Sequence, residues 1–216
     1  MKKLLFKEMK LTANPLSYWF IAFSAMTMIP KYPILVGSFF ICLGIFHTFQ
    51  QAREYDDITY TLMLPVKKQD VITAKYLFVL FIELISFIFC TFLTIIRVKF
   101  LGNAAPYVTN ELMNANAAYL AYVMLVFAAF NSIFLGGFFK TAYKLGKPFI
   151  LFCIAGFIII TVGEVLHHIP GLESLNAPSY VSTPQLVIFA IGITVFLLCT
   201  WLSCQKAKKD FEKIDL

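Results

Sequence analysis

Residues 53–76 read REYDDITYTLMLPVKKQDVITAKY, and the rest of the chain is arranged around them. The stretch opens with Arg53, Glu54, Asp56 and Asp57, is broken at Pro65, and closes with Lys67, Lys68, Asp70 and Lys75. Apolar segments long enough to cross a lipid bilayer flank it on both sides. Each charge at a bilayer centre costs about 2.5–3.5 kcal/mol on insertion scales, so this segment belongs in water or against a partner.

The composition around it fixes the class. Hydrophobic residues make up 60% of the 216 residues and charged ones 14%, with a mean hydropathy of +0.79. Soluble domains carry about 25% charge, so the sequence predicts an all-α integral membrane protein. It forms one transmembrane domain over 1–216, because no loop is long enough to bury a core of its own. The five cysteines, Cys42, Cys90, Cys153, Cys199 and Cys204, sit in or beside apolar runs without a C-x-x-C pair. They read as small buried hydrophobes, neither a disulfide framework nor a metal site. The net charge of +6 speaks of membrane orientation here and not of nucleic acid.

Working outward, residues 1–14 interleave Lys2, Lys3, Lys7 and Lys10 with Leu4, Leu5, Phe6, Met9 and Leu11. That pattern predicts an amphipathic helix lying in the membrane interface, its basic face toward anionic lipid. A cleaved signal peptide would need an unbroken apolar run, which Lys7, Glu8 and Lys10 interrupt. Asn14-Pro15 is a helix start, a capping side chain followed by proline at the first helical position. Six spans are expected, at about 15–30, 34–52, 71–97, 117–139, 148–166 and 185–204, with 53–70 between the second and third.

Six spans put both termini on one side. Of the 18 Lys and Arg residues, only Lys31, Arg97 and Lys99 then fall on the other. The positive-inside rule places the termini and the 53–70 segment in the cytoplasm. No internal repeat of the kind that builds inverted-repeat transporters is visible.

Motifs for in-chain catalysis are missing. There is no G-x-x-x-x-G-K-[ST] loop, no G-x-S-x-G and no H-E-x-x-H, so energy for any work comes from a partner or a gradient. Glu164, His167 and His168 are the nearest thing to a metal or hydrolase site, since Glu and His at i and i+3 share a helix face. The same three residues also read as the solvated outer end of a helix. Glu83 lies within the third span, where an acid is a functional candidate by default, or a packed carboxyl. His47 is a proton-sensing candidate or a packing residue.

The segment Gln50-Gln51-Ala52-Arg53-Glu54-Tyr55-Asp56-Asp57, then Leu64-Pro65-Val66-Lys67-Lys68-Gln69-Asp70-Val71 and Ala74-Lys75-Tyr76-Leu77, resembles the ABC-2 type permeases of bacterial ABC exporters. It is similar in particular to the small permeases grouped with the phenol-soluble modulin exporter. The resemblance implies a multi-pass subunit of the bacterial cytoplasmic membrane, not itself an enzyme. Two copies of a separately encoded ATPase would bind ATP and Mg, and a second permease copy or paralogue would complete the transporter. It implies that 53–70 holds the coupling helix, with Arg53, Glu54, Asp56, Asp57, Leu64, Pro65, Lys67, Lys68 and Asp70 facing the ATPase. The cargo it implies is an amphipathic or hydrophobic peptide, such as a peptide toxin. On the family pattern, Ser38, His47, Thr48, Gln51, Glu83, Thr161 and Glu164 are the pathway candidates. An intramembrane metal-dependent hydrolase and a non-transporting immunity protein stay open as alternatives on sequence.

Overall fold

The computed structural model describes residues 2–141, 144–178 and 181–214, and among them every regular element is helical. Parts of the N-terminal segment, the fourth turn, the last loop and the tail lie outside the described residues. In chain order the α-helices are α1 (Lys2–Lys7), α2 (Pro15–Trp19), α3 (Val36–Glu54), α4 (Asp57–Leu62), α5 (Lys68–Ile96), α6 (Ala105–Val108), α7 (Ala117–Ala129), α8 (Gly136–Lys140), α9 (Gly146–Leu166) and α10 (Thr183–Glu212). Three π-helical stretches extend or join them: Glu8–Thr12 after α1, Arg97–Leu101 after α5, and Phe130–Leu135 between α7 and α8.

Four rods are long and apolar enough to cross a membrane: Lys68–Leu101, Ala117–Lys140, Gly146–Leu166 and Thr183–Glu212. Their bounds extend the expected third to sixth spans by a few residues, most at the C-terminal end of α10. At about 1.5 Å per residue, 30 residues reach about 45 Å, beyond a hydrocarbon core of about 30 Å. The overhang stays helical because Ala207 and Phe211, four apart, are buried and Phe211 packs edge-on against Phe139.

The first two expected spans differ from those four. α3 has its last third diluted by His47, Gln50, Gln51, Arg53 and Glu54. Residues 15–28 are not one α-helix: after the five residues of α2 the chain tightens into a 3-10 helix, Phe20–Met28. A 3-10 helix rises about 2 Å per residue, so these 14 residues extend about 25 Å, further than an α-helix of equal length. The start is as the sequence suggests, with Asn14 Oδ1 accepting from Leu16 N at 2.9 Å and Pro15 at the first position. Ser17 Oγ donates to Gly44 O at 2.8 Å at one end of the bundle, and Thr27 Oγ1 meets Tyr119 OH at 2.9 Å at the other. These anchors hold the segment along α3, from the level of Thr48 to that of Tyr119.

α7 is the axis of the assembly. Of its apolar window 78% is buried, against 33% for α5 and 22% each for α9 and α10. The outer faces of those three helices are aliphatic and aromatic, with Phe81, Ile88, Phe92, Ile154, Phe157, Ile191 and Leu198 exposed. Such surfaces suit lipid or another apolar chain. Close approach of α10 to α7 depends on Gly192: a Cβ there would lie 2.9 Å from both Cα and O of Ala121. Backbone cannot yield as a flexible side chain can. Gly192→Val should destabilise the purified protein by about 1–3 kcal/mol, read as a lower unfolding midpoint in detergent. Gly146→Ala, with nothing within 4 Å of its Cβ, should leave that midpoint unchanged or slightly higher.

Candidate functional site

Both chain ends and the 53–70 segment meet at one corner of the bundle. Lys68 Nζ donates to Ile214 O at 2.7 Å, and Gln69 Nε2 donates to Glu212, which ties the C-terminal overhang to the start of α5. From the N-terminal side Lys7, Glu8 and Thr12 turn inward. Lys75 Nζ lies 2.8 Å from Glu8 Oε2 and 3.0 Å from Asp57 Oδ2, while Lys7 pairs with the same two carboxylates. Thr12 Oγ1 donates to Asp57 Oδ1 at 3.1 Å, and Lys7 Nζ to Thr61 Oγ1 at 2.7 Å.

Two cations and two anions cancel, and the Lys75 and Glu8 side chains are each only 2% exposed. Burial by itself pushes the Asp57 carboxyl up, but the ammoniums of Lys75 and Lys7 outweigh it and hold it below its ordinary value. The N-terminal segment is thus not held on the bundle by apolar contact alone. Its protein-facing side is ionic, with Leu5 and Met9 packed beside it, while Lys2, Lys3, Phe6, Lys10 and Leu11 face outward.

Around this locked centre the 53–70 segment presents an exposed knob. Asp56 takes a left-handed conformation (φ 48°) that turns the chain from α3 into α4. Tyr55, Tyr60, Met63 and Leu64 are exposed, as are Arg53, Glu54, Asp56, Pro65 and Lys67. α4 ends at Leu62, just before the Leu64-Pro65 pair in which proline disfavours helix for Leu64, and Lys67 is extended as the chain enters α5. A cleft of about 160 Å³ separates the knob from the N-terminal segment, lined by Leu11, Thr12, Gln51, Ala52, Tyr55, Asp57 and Tyr60.

A family model described as "ABC-2 family transporter protein" matches residues 3–212. The chain belongs to this family. Neither a curated protein nor a solved structure matches it. It is a multi-pass membrane component of a transporter, as the resemblance of the 50–77 segment implied.

Within the permease, the residues expected to face an ATPase divide. Arg53, Glu54, Asp56, Leu64, Pro65 and Lys67 lie on the knob. Asp57 instead belongs to the buried ion cluster, Lys68 is engaged by the C-terminal overhang, and Asp70 is half-buried in the first turn of α5. Tyr55 and Tyr60 were overlooked on sequence. Their signal was available, as two large aromatics in a segment otherwise too charged for lipid.

The seven pathway candidates do not share one cavity. Ser38 is buried and donates to Leu35 O at 2.6 Å; Thr48 accepts from Asn14 N at 2.9 Å and meets Ser17 Oγ at 2.6 Å. His47 is half-buried between the rings of Phe20 and Phe46. Gln51 lines the small cleft beside the knob, and Thr161 faces outward on α9. Glu83, 1% exposed, accepts from Asn131 Nδ2 at 2.9 Å, and that same amide donates to Thr200 Oγ1 at 3.1 Å. Asn131 sits in the π-helical stretch, whose carbonyl Asn131 O accepts from Ser203 Oγ at 2.7 Å. This is a polar seam between α5, the α7–α8 rod and α10 inside an otherwise apolar bundle.

At the opposite end from the knob, the loops are sewn into a cap. Arg97, read from sequence as the charged end of a span, is 2% exposed and donates to Thr27 O at 2.6 Å and Asn114 Oδ1 at 2.9 Å, with Tyr107 stacked beneath it. Asn114 in turn binds Asn176 through N–H to Oδ1 at 2.6 Å and Nδ2 to O at 3.2 Å. Glu164 Oε2 accepts from Met113 N at 2.8 Å, and His167 Nε2 lies 3.2 Å from Glu111 O. The three residues named for a hydrolase site thus hold or flank a loop, and among the described residues no three His, Cys, Asp or Glu side chains converge as metal ligands.

Replacing Lys75 by Met leaves two buried carboxylates facing one ammonium, and should cost about 3–5 kcal/mol. The double variant Lys75→Met with Glu8→Gln should be milder than the sum of the singles, measured as unfolding free energies in detergent. The depressed Asp57 adds a pH dependence. Its contribution is complete above the ordinary carboxylate value of about 3.9 and is lost as pH falls through the lower folded value. Amide exchange in residues 2–12 should rise selectively on that acidification.

Proposed function

We propose that this chain is the permease subunit of an ATP-driven exporter, and that the knob at 53–67 is where a separate ATPase docks. The observation that carries this reading is the exposed Tyr55, Tyr60, Met63 and Leu64 beside buried ions, within a chain matched to the ABC-2 family over residues 3–212. Aromatic and Met side chains ringed by charge are the composition of an interface core with its rim. A solvated loop has no reason to expose four of them together.

The proposal includes six crossings, both termini in the cytoplasm of a bacterial cell, and a second permease copy or paralogue completing the transporter with two ATPases. Support for six crossings comes from the course of residues 15–28 alongside α3 and from the meeting of both chain ends at one corner. The cargo is proposed to be an amphipathic or hydrophobic peptide, in keeping with the broad apolar outer faces of α5, α9 and α10. ATP and Mg belong to the partner.

The Lys75–Glu8–Asp57 cluster gives docking a mechanical consequence. A push on α4 moves Asp57, and Asp57 is bonded to both the N-terminal segment and α5. The test is co-purification of an ABC ATPase with the tagged chain from its native cells. Met63→Asp with Leu64→Asp should reduce its recovery at least about tenfold while the permease still inserts. Lys68→Glu should have a smaller effect than Lys67→Glu, because Lys68 already bonds Ile214 O. Undiminished recovery with the double Asp variant would remove the docking role.

A further inference from the structure

A groove of about 350 Å³ lies between the end of the α7–α8 rod and the C-terminal half of α10. Its level in the bundle is set by Ser203, which lines it and meets Tyr76 OH at 2.8 Å, one residue from Lys75. It therefore opens at the knob end. Both rods change character here: one is apolar through Phe138 and Phe139 and then reaches Lys140, the other is apolar through Trp201 and Leu202 and charged from Lys206. A groove where two membrane-spanning rods turn from apolar to charged sits at the height of phospholipid headgroups.

Its polar groups divide in two. Ser132 Oγ donates to Ala128 O and Ser203 Oγ to Asn131 O, both at 2.7 Å, so the hydroxyls are spent within the chain. Lys140, Lys206 and Asp210 are not spent: among the described residues none of the three side chains has an ion pair or hydrogen bond. Lys206 and Asp210 stand four apart on α10, a spacing that permits pairing, yet they do not pair. Asp210 lies one turn past Lys206, about 6 Å further from the apolar part of the rod. The rest of the wall, Gly136, Gly137, Cys199 and Leu202, carries no charge, and exposed Leu202 continues it onto the apolar outer face of α10.

We propose that this groove binds an anionic phospholipid, with its phosphate between Lys140 and Lys206 and an acyl chain along Cys199 and Leu202. Two lysines and one carboxylate leave the lining with a single positive charge. That charge is the complement of a headgroup with one net negative charge, such as phosphatidylglycerol, and a zwitterionic headgroup leaves it unanswered. The headgroup's glycerol hydroxyls can donate, and Asp210, on the water side of the lysines, is the acceptor placed for them. Basic pockets between membrane helices hold lipid headgroups in this manner. The lipid braces the ends of α8 and α10 beside the Tyr76–Ser203 bond. The site is distinct from Lys2, Lys3 and Lys10, which lie on the outward face of the N-terminal segment.

The test uses the full chain, delipidated in detergent without ATPase. Native mass spectrometry follows its retention of phosphatidylglycerol, phosphatidylethanolamine and phosphatidylcholine of identical acyl chains. The first should be retained at least about fivefold more than either of the others. That preference should be lost in Lys140→Gln with Lys206→Gln, whose exposed positions leave the unfolding midpoint unchanged, and kept in Lys2→Gln with Lys3→Gln. Equal retention of the three lipids would overturn the proposal, as would a preference that survives the first double variant or disappears in the second. Displacement of phosphatidylglycerol by an equal concentration of inorganic phosphate would also overturn it, assigning an anion site that makes no use of an acyl chain. Since no ATPase is present, failure here leaves the docking reading of the knob standing, and failure of co-purification leaves the lipid site standing.

Discussion

The ammonium of Lys75 is the group on which the knob end of this molecule depends. It is buried in the first turns of a helix otherwise built for lipid, and two carboxylates reach it from sequence positions 8 and 57. Desolvating a single charge costs several kcal/mol, and only close geometry with further hydrogen bonds offsets that. Lys7, Thr12 and Thr61 supply those bonds. A hydrophobic contact in the same place would hold the segments together without fixing their register. The ion cluster admits one arrangement, so α1, α4 and α5 move as a unit or separate at high cost.

This explains why the knob has the composition it has. Charges at 53–70 looked alike in sequence, but the fold sorts them by whether a partner within the chain can reach them. Asp57, Lys68 and Lys75 are bonded internally, while Arg53, Glu54, Asp56 and Lys67 are left outward around Tyr55, Tyr60, Met63 and Leu64. The knob therefore has an apolar centre and a charged rim, and it rests on the buried ion cluster.

What was legible in the sequence was whatever depends on neighbours along the chain. The apolar rods from 68 to 212 follow from uninterrupted hydropathy, the start at Pro15 from its capping asparagine, and the break at Pro65 from steric restriction of the preceding residue. The 3-10 course of Phe20–Met28 was not legible, because no local signal separates it from a short α-helix; its length is imposed by anchors at Ser17 and Thr27. The partners of Lys75 and Arg97 were hidden for a related reason. Each is satisfied by groups far away in sequence, so Arg97 read as the charged end of the third span when it is the buried centre of the cap.

Lys75 and Arg97 sit on one continuous rod, α5 with its π-helical extension, 22 residues apart by number. At about 1.5 Å per residue that is a lever of about 33 Å, with an ionic anchor at the knob end and a guanidinium anchor in the cap. Glu83 lies between them and bonds Asn131 in the α7–α8 rod. A helix of this kind does not compress, and it bends sharply only where its hydrogen-bond ladder is interrupted. Displacement of the knob must then shift the cap, distort α5 at its π-helical end, or break the Glu83–Asn131 bond. Each of those alters how the loops around Arg97 are held. A push delivered at residues 55–64 thus has a physical route to the opposite end of the molecule, carried by one helix fixed at both ends.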